Sequence, residues 1–362
     1  MEDTVWALGL MSGTSRDGID AALIHSDGRE RLMPGTFLSV PYAPATRIRL
    51  AAAIRGEADV AAAEREITDL HADAVHRLLE TAGVRRSEVR VAGFHGHTLF
   101  HDPARGQTRQ IGDGARLAAS TGIDVVNDFR SADTAAGGQG APLAPLYHRV
   151  RTADLERPLA VLNLGGVGNV TWLGAGDRTD ARNLLAFDTG PGNALLDDLA
   201  WRRTGHPFDA GGALAGAGEV HGAILDRLLA HPFFTKPPPK SLDRDAFDPE
   251  PVEALSTGDA AATLAAFTAA SVRRALDHFP VPPLRWLIAG GGRHNPVLMA
   301  WLREALRAPV DPVEAVGWNG DGVEAEAFAY LALRSLAGLP LSLPRTTGVP
   351  EPQCGGRFHP AS

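Results

Sequence analysis

The sequence predicts an α/β protein in which two lobes repeat one order of elements on either side of a central cleft. Three short apolar runs of strand length, followed by helical periodicity, open each half of the chain. At 362 residues the chain also exceeds the roughly 250 to 300 residues at which a single core usually stops growing. Small residues fill positions 135–141, AAGGQGA, which suits either a crossing between lobes or a plain surface loop. We place the boundary there, with an N-terminal lobe at 1–137 and a C-terminal lobe at 138–362.

Apolar patterning in the first half predicts the order βββαβαβ. Alternating or continuous apolar runs mark the strands, and apolar residues at helical spacing from 67 to 79 mark the first helix. The predicted strands are 5–10, 21–24, 37–40, 89–94 and 125–129, and a second helix is predicted at 114–120.

The second half predicts the same opening order, three strands at 159–164, 170–173 and 184–187 and then a helix from 194. Further along, Thr257 or Asp259 is expected to cap a long helix that runs to about His278. A strand at 284–289 and helices at 296–306 and 321–336 complete the prediction. Residues 236–251 are rich in Pro and Asp, and we expect them to form a loop or a flap over the cleft.

Composition and charge exclude several classes of protein. A hydrophobic content of 44% and a charged content of 22% are typical of globular proteins, and a net charge of -8 with dispersed cations argues against nucleic-acid binding. Cys354 is the only cysteine, so no intrachain disulfide can form, as is usual in a reducing compartment. The first residues lack the basic start of a signal peptide, and no run approaches the ~20 apolar residues of a membrane span. We therefore expect a cytoplasmic protein without a membrane partner.

A turn rich in Gly, Ser, Thr and Asp separates the first two predicted strands. Glycines there allow close backbone approach, hydroxyls add donors, and carboxylates could lie near a cation such as Mg²⁺. The residues concerned are Ser12, Gly13, Thr14, Ser15, Asp17, Gly18 and Asp20. Alone, such a turn could equally be an ordinary hairpin turn.

A second glycine-rich turn lies at the equivalent place in the second half, at the same predicted register. It contains Gly165, Gly166 and Gly168 and is bracketed by Asn163 and Asn169. Two such turns in duplicated halves favour backbone binding of phosphates from both sides. A Walker A loop is excluded because no Lys follows any Gly, and the GxGxxG fingerprint of dinucleotide-binding proteins is absent.

A third glycine-rich segment follows an apolar strand and precedes a helix. Gly290, Gly291 and Gly292 leave room for a flat ring system, so that a nucleotide base or ribose could lie against the backbone. The alternative is a simple turn between strand and helix.

Asp188 ends an apolar strand in the sequence FDTGPGN, before a helix that Asn193 is expected to cap. Phosphoryl transfer needs mainly positioning, charge neutralisation and one group that activates the nucleophile, and a carboxylate can do the last. The alternative is that Asp188 only braces the turn.

The sequence FHGHTLFHD predicts His95 and His97 on one face of a strand, with His101 and Asp102 nearby. This spacing could bind zinc, but a polar wall that contacts a hydroxylated ligand is the favoured interpretation.

The sequence DFRSAD exposes Arg130 between Asp128 and Asp133. Arginine suits bidentate binding of a carboxylate, and a local salt bridge to either aspartate is the alternative.

Together these strings resemble the anhydro-N-acetylmuramic acid kinases over nearly the whole chain. The strings that carry the resemblance are GLMSGTSRDGID, HGHT, QIGDGARLA, DFRSAD, GGQGAPLAP, NLGGVGN, FDTGPGN, GGGRHNP and EAEAFAYLA. The resemblance implies the duplicated βββαβαβ fold of the hexokinase, actin and acetate kinase superfamily, a ribonuclease H-like, actin-like ATPase with two lobes.

The resemblance also implies an activity in cell-wall sugar recycling. The enzyme would use ATP and water to open 1,6-anhydro-N-acetylmuramic acid, giving the 6-phosphate of N-acetylmuramic acid and ADP. Asp188 would be the base that activates water. The two glycine-rich turns would hold the ATP phosphates, with Asp17 and Asp20 reaching Mg²⁺ through water, and residues 290–292 would face adenosine. Relatives are often dimers that close their lobes around substrate, and we expect both here.

Three further residues take substrate roles from the resemblance. Arg130 matches a carboxylate contact that would read the lactyl group, Glu324 matches an acid near the substrate, and His97 stands in HGHT where many relatives carry Gln. The string SLDRDAF from Ser241 also departs from the usual KSTGRE-like pattern.

Two other functions remain open from the sequence. One is a kinase of a neutral anhydro sugar such as levoglucosan, which Arg130 would distinguish. The other is an actin-like, nucleotide-switched binding protein, against which Asp188 in FDTGPGN argues.

Overall fold

The computed structural model describes residues 3–13 and 16–361. They divide into two compact units, of which the first contains the residues up to Asp154 together with those from Gly322 onward, and the second is Leu155–Asp321. This division differs from the predicted one in two respects. The boundary predicted after residue 137 lies inside the first unit, and the last segment of the predicted C-terminal lobe belongs to the first unit.

The described residues form both strands and helices. The strands, in chain order, are β1 (Val5–Ser12), β2 (Gly18–Ser26), β3 (Leu32–Pro41), β4 (Val89–Asp102), β5 (Gln107–Ile111), β6 (Val125–Asn127), β7 (Leu159–Leu164), β8 (Val167–Leu173), β9 (Leu184–Pro191), β10 (Arg285–Ala289), β11 (Val310–Pro312) and β12 (Arg357–His359). The α-helices are α1 (Pro44–Ile54), α2 (Val60–Ala82), α3 (Gly114–Thr121), α4 (Ser131–Ala135), α5 (Pro145–Arg151), α6 (Ala194–Thr204), α7 (Ala213–Gly216), α8 (Gly222–Leu229), α9 (Thr257–Arg274), α10 (Pro296–Leu306), α11 (Val323–Leu336) and α12 (Pro344–Thr347).

Each unit is organised around one mixed sheet. In the first unit the order is β12-β6-β4-β1-β2-β3, with β5 paired to β4. Strands β1, β2 and β3 are antiparallel neighbours, whereas β4 runs parallel to β1 and β6 parallel to β4. In the second unit the order is β11-β10-β7-β8-β9, again with three antiparallel strands, β7 to β9, and two parallel ones, β10 and β11. The predicted α/β class with a duplicated βββαβαβ order is therefore confirmed.

Two glycines explain why the C-terminal segment returns to the first unit. A Cβ atom at Gly9 in β1 would overlap the backbone oxygen of Ala325, and one at Gly93 in β4 would overlap that of Phe328. Because neither glycine carries a side chain, α11 can lie directly against the sheet. Strand β12 then adds to the sheet edge by pairing antiparallel with β6.

The opposite face of the first sheet is covered by α2. Leu8, Leu10 and Phe94 of the sheet pack with Ile67 and Leu78 of this helix in one buried cluster. The apolar spacing that predicted α2 is thus the spacing that fills the core.

Several predicted details differ from the structure. Helix α9 is capped by Ser256, whose side chain accepts a hydrogen bond from the backbone N–H of Asp259 at 3.1 Å, and not by Thr257 or Asp259. Regular α-helix ends at Arg274 and continues as a 3-10 turn to His278. Among the described residues, no helix is long and apolar enough to cross a membrane.

Candidate functional site

The glycine-rich turn of the second unit is fixed by the start of α6. The carbonyl of Gly166 accepts hydrogen bonds from the N–H groups of Gly192 at 2.9 Å and Ala194 at 3.2 Å, and that of Gly165 accepts one from Asn193 at 2.8 Å. Contrary to the prediction, the side chain of Asn193 does not cap α6. It donates instead to the carbonyl of Leu164 at 2.9 Å. The N–H groups of the first residue of α6 and of the two residues before it therefore hold the turn in place.

The predicted glycines of this unit fall into two groups. A Cβ at Gly168 would lie 2.7 Å from Thr189 Oγ1, and one at Gly292 would lie 2.7 Å from Leu164 Cβ. At Gly165 the nearest atom to a Cβ would be the backbone oxygen of Val167 at 3.8 Å, an ordinary contact, so no overlap requires a glycine there. Packing thus accounts for Gly168 and Gly292 but not for Gly165.

The same distinction holds within the three consecutive glycines. Gly290 has a positive φ of 77°, and a Cβ there would overlap Asn163 Oδ1. At Gly291 the nearest atom to a Cβ would be Asn193 Nδ2 at 3.7 Å, an ordinary contact. Residues 163–169, 188–193 and 290–292 therefore meet in the second unit, and Gly291 is the member of its run at which a Cβ would meet no overlap.

Asp188 lies near the end of β9, opposite Asn169 of β8, and is 7% exposed. Its backbone N–H donates to the carbonyl of Lys240 at 2.9 Å, and its Oδ2 accepts from the backbone N–H of Leu242 at 2.8 Å. The segment predicted as a loop or flap is therefore tied to this aspartate at both its backbone and its carboxylate. A fixed, mostly buried carboxylate is the geometry that a general base requires.

Lys240 was missed by the sequence analysis, although it is one of only two lysines in the chain. It is buried, donates from Nζ to the carbonyl of Phe233 at 3.2 Å and lies over the Phe233 ring at 4.6 Å from its centre. Burial and the charge of Lys236 lower the pKa of Lys240 to about 8, whereas the Asp188 carboxylate acts in the opposite direction. A cation thus lies near the candidate base.

In the first unit, the turn between β1 and β2 brings its two aspartates near one hydroxyl group. Burial raises the pKa of Tyr42, and the negative charges of Asp17 and Asp20 raise it further. Asp17 is exposed and Asp20 half-buried. Thr14 and Ser15, which were also predicted to bind phosphate, lie outside the described residues.

Gly18, also predicted to bind phosphate, has a packing role. A Cβ at this position would overlap the backbone oxygen of Val40 on the neighbouring strand β3. The carbonyl of Gly13 accepts a hydrogen bond from the N–H of Arg16 at 3.1 Å.

His95 and His97 do not share a face of β4, contrary to the prediction. Gly96 between them has a positive φ of 73°, and the pairing of β4 with β1 shifts register there, so the alternation of side chains is interrupted. His95 packs against Phe328 of α11 with ring centres 4.6 Å apart. His97 Nδ1 lies 3.0 Å from the hydroxyl of Ser12, and burial lowers the pKa of His97 to about 4.

Arg130 is held by His95 and by a backbone carbonyl. Its Nε and Nη2 each lie 3.0 Å from His95 Nε2, and its Nη1 donates to the carbonyl of Gly140 at 2.7 Å. The Asp133 carboxylate, one of the two salt-bridge partners considered for Arg130, accepts hydrogen bonds from Gly140, Ser342 and Thr347.

The zinc alternative is likewise not supported. Both ring nitrogens of His95 are hydrogen-bonded, as are those of His101, to Thr108 and Gln139. Within residues 3–13 and 16–361, no three His, Cys, Asp or Glu side chains are grouped so as to hold a metal ion.

Glu324 lies in the first turn of α11, where its side chain is reached by solvent. Desolvation by the surrounding protein nevertheless raises the pKa of its carboxyl, because it disfavours the charged form. The positive charge of Arg130 opposes this rise, and the negative charge of Asp17 adds to it. Arg130, Glu324 and Asp17 therefore lie close enough in the first unit to influence one another.

Comparison with known proteins agrees with these features. A family profile described as anhydro-N-acetylmuramic acid kinase matches residues 5–361. Proteins of that name from Rhodospirillum rubrum and Paramagnetospirillum magneticum are each 56% identical to the chain, covering 100% and 98% of it and 96% and 99% of the relatives. Component A of the (R)-2-hydroxyglutaryl-CoA dehydratase from Acidaminococcus fermentans shares the fold, with a TM-score of 0.50 at 12% identity over 92% of this chain and 99% of that one. The chain therefore belongs to the anhydro-N-acetylmuramic acid kinase family, which confirms the predicted resemblance and the predicted class of ATP-using phosphotransferase.

Proposed function

We propose that this enzyme opens 1,6-anhydro-N-acetylmuramic acid with water and transfers the γ-phosphate of ATP to O6 of the sugar. Water adds to C1, the bond between C1 and O6 breaks, and O6 takes the phosphoryl group. The products are N-acetylmuramic acid 6-phosphate, ADP and one proton. A single site would thus perform a hydrolysis and a phosphorylation.

The observation that carries this proposal is the environment of Asp188. The anhydro sugar has no free 6-hydroxyl, so a base has to act on the water that attacks C1 rather than on a sugar hydroxyl. Asp188 is mostly buried at a strand end, and Lys240 and Leu242 fix it through the backbone. Such fixation holds a carboxylate oxygen in one direction, which favours abstraction of a proton from a bound water.

We propose that the ATP phosphates lie against the backbone at Gly165 and that adenosine lies against Gly291. This proposal is supported by packing, because a Cβ at either position would make only ordinary contacts, so packing with the rest of the protein does not account for these two glycines. Asp17 and Asp20 offer hard oxygen ligands of the kind that Mg²⁺ uses together with substrate phosphates. A bound Mg²⁺ would neutralise the negative charge of phosphate oxygens.

Arg130 is proposed to bind the lactyl carboxylate, with Glu324 as a second substrate contact. Arginine binds carboxylates with two parallel hydrogen bonds, so a fixed guanidinium would select a sugar that carries this group. A neutral anhydro sugar such as levoglucosan lacks the group and would gain nothing from Arg130.

The test is to incubate the enzyme with MgATP and anhydro-N-acetylmuramic acid in ¹⁸O-water and to analyse the product by mass spectrometry. We expect a sugar 6-phosphate with one ¹⁸O at C1, and a parallel reaction with levoglucosan should be much slower. A phosphorylated product without label would rule out the hydrolytic step. Absence of ADP with every sugar would favour an actin-like binding protein, and faster turnover of levoglucosan would make the neutral sugar the substrate.

We further propose that the enzyme acts in the cytoplasm as a homodimer, as the family resemblance implies. Light scattering of the purified protein should give twice the mass of the chain, and a monomer at micromolar concentration would contradict this. Cell fractionation would test the location.

A further inference from the structure

We propose that His95 and Asp133 are positioning residues that fix the guanidinium of Arg130 in the orientation needed to bind the carboxylate of the substrate. This inference rests on the proposed function, because it assumes that Arg130 reads a carboxylate. Neither residue is expected to touch the substrate; both act through Arg130.

The hydrogen bonds of His95 determine which of its nitrogens carries the proton. Nδ1 lies 2.9 Å from the carbonyl of Gly96, and because a carbonyl can only accept, Nδ1 must be the donor. In the neutral ring Nε2 then has a lone pair, which faces Nε and Nη2 of Arg130 at 3.0 Å each. His95 is 3% exposed and packs against the ring of Phe328, so it has little freedom to turn away.

The same surroundings keep His95 neutral. Burial, then the charge of Arg130, lowers the pKa of His95 well below the usual range for histidine. A protonated ring would place two N–H donors against the N–H groups of Arg130. The neutral ring is therefore the state that can hold the guanidinium.

Asp133 acts on the other side of Arg130 through the backbone of Gly140. Its Oδ1 accepts from the N–H of Gly140 at 2.6 Å, and its Oδ2 accepts from Thr347 Oγ1 at 2.6 Å and from the hydroxyl of Ser342. The carbonyl of the same Gly140 accepts from Arg130 Nη1 at 2.7 Å. Asp133 thus links the C-terminal segment to the carbonyl that orients Arg130.

These two acceptors, an imidazole and a carbonyl, are both neutral groups, so neither of them neutralises the guanidinium charge. An aspartate in either place would orient Arg130 equally well but would neutralise its charge and weaken its attraction for a substrate carboxylate. Asp133 is a carboxylate, yet it meets Arg130 through the neutral Gly140. The arrangement therefore suits an arginine that must bind an anion.

The experiment compares His95→Leu with His71→Leu in steady-state kinetics on anhydro-N-acetylmuramic acid. His71 is an equally buried histidine of the same unit, and its Nδ1 lies 2.6 Å from the carbonyl of Ile67. We expect His95→Leu to raise KM for the sugar about tenfold or more while KM for ATP changes less than about twofold. His71→Leu should lower the thermal midpoint by a similar amount without separating the two KM values. His95→Gln, which retains an acceptor, should recover part of the loss.

Two further readouts keep the test independent of stability. The Nε–H signal of Arg130 in a ¹H–¹⁵N spectrum, assigned with Arg130→Lys, should exchange faster with water in His95→Leu. Asp133→Asn should shift KM for the sugar in the same direction. Equal effects of His95→Leu and His71→Leu on both KM values, or an unchanged Arg130 signal, would overturn the inference. If the unmodified enzyme did not turn over this sugar, the proposed function would fail instead, and the spectrum would still report whether His95 holds Arg130.

Discussion

Replacement of Asp188 by asparagine should separate the chemistry of this carboxylate from its structural role. Asparagine has the same shape, and its Oδ1 can accept the hydrogen bond that the N–H of Leu242 donates to Asp188 Oδ2 at 2.8 Å. The substitution removes the negative charge and the basicity. A positioned general base contributes about 10²- to 10⁴-fold to rate, so kcat should fall by that factor, equivalent to about 3 to 5 kcal/mol in the activation free energy.

The free energy of unfolding should respond differently to the two obvious variants. Asp188→Asn keeps an acceptor for Leu242 and removes a mostly buried charge, so we expect a change of less than about 1 kcal/mol. Asp188→Ala leaves the partly buried N–H of Leu242 without its acceptor and should cost about 1 to 3 kcal/mol. Both variants should lose activity, and only the alanine variant should lose stability.

The assay combines ADP release under saturating sugar and MgATP with urea unfolding of all three proteins. An Asp188→Asn variant that kept more than about a tenth of wild-type kcat would refute the assignment of Asp188 as the base. Equal destabilisation by asparagine and alanine would refute the role given to the Leu242 hydrogen bond. Inactivity of the asparagine variant with normal ATP and sugar binding, measured by calorimetry, would support both.

Three further predictions follow from the packing and the charges. Gly9→Ala places a methyl group against the backbone of α11 and should lower the free energy of unfolding by about 1 to 3 kcal/mol or more, whereas Gly222→Ala, which meets no atom within 4 Å, should change it by less than about 1 kcal/mol. Because the pKa of Lys240 falls from 10.5 in the unfolded chain to about 8 in the folded one, the unfolded state binds more protons between these values, and stability should rise with pH from about 8 to 10 relative to Lys240→Met. Gly291→Val should raise KM for ATP about tenfold or more with little change in thermal midpoint, whereas Gly290→Ala should lower that midpoint because Gly290 has a positive φ. A difference in unfolding free energy between the wild type and Lys240→Met that does not change with pH would contradict the second prediction. An unchanged KM for ATP in Gly291→Val would contradict the third.

The strands and the duplicated order could be predicted because buried strands impose a strong apolar pattern. β7 and β10 are nearly continuous apolar runs, and the structure has them within one residue of the predicted bounds. The predicted division into lobes depended instead on composition at 135–141, which says nothing about where a later helix packs. The return of α11 to the first sheet depends on the absence of side chains at Gly9 and Gly93, and two glycines within strands give no such signal by themselves.

The faces of the two histidines could not be predicted because period-two alternation assumes an unbroken strand. The positive φ at Gly96 interrupts that alternation, so His95 meets α11 while His97 meets Ser12. The sequence HGHT nevertheless contains one indication of this interruption, since an isolated Gly within a strand often marks a bulge. The different packing of Gly290 and Gly291 likewise depends on residues that are distant in sequence, Asn163 for the former and Asn193 for the latter, and composition does not reveal these neighbours.

The two charged residues given central roles are each oriented in part by backbone groups, which have no signature in the sequence. The backbone N–H of Leu242 holds Asp188, and the backbone carbonyl of Gly140, with neutral His95, holds Arg130. Backbone groups carry no net charge, so they fix the direction of a charged side chain without neutralising it. Any residue type supplies such a group, which is why these partners could not be found from residue identity. It follows that a one-residue deletion between 240 and 242, or between 138 and 140, should harm activity more than replacement of neighbouring side chains, because it moves the backbone group that each charge depends on.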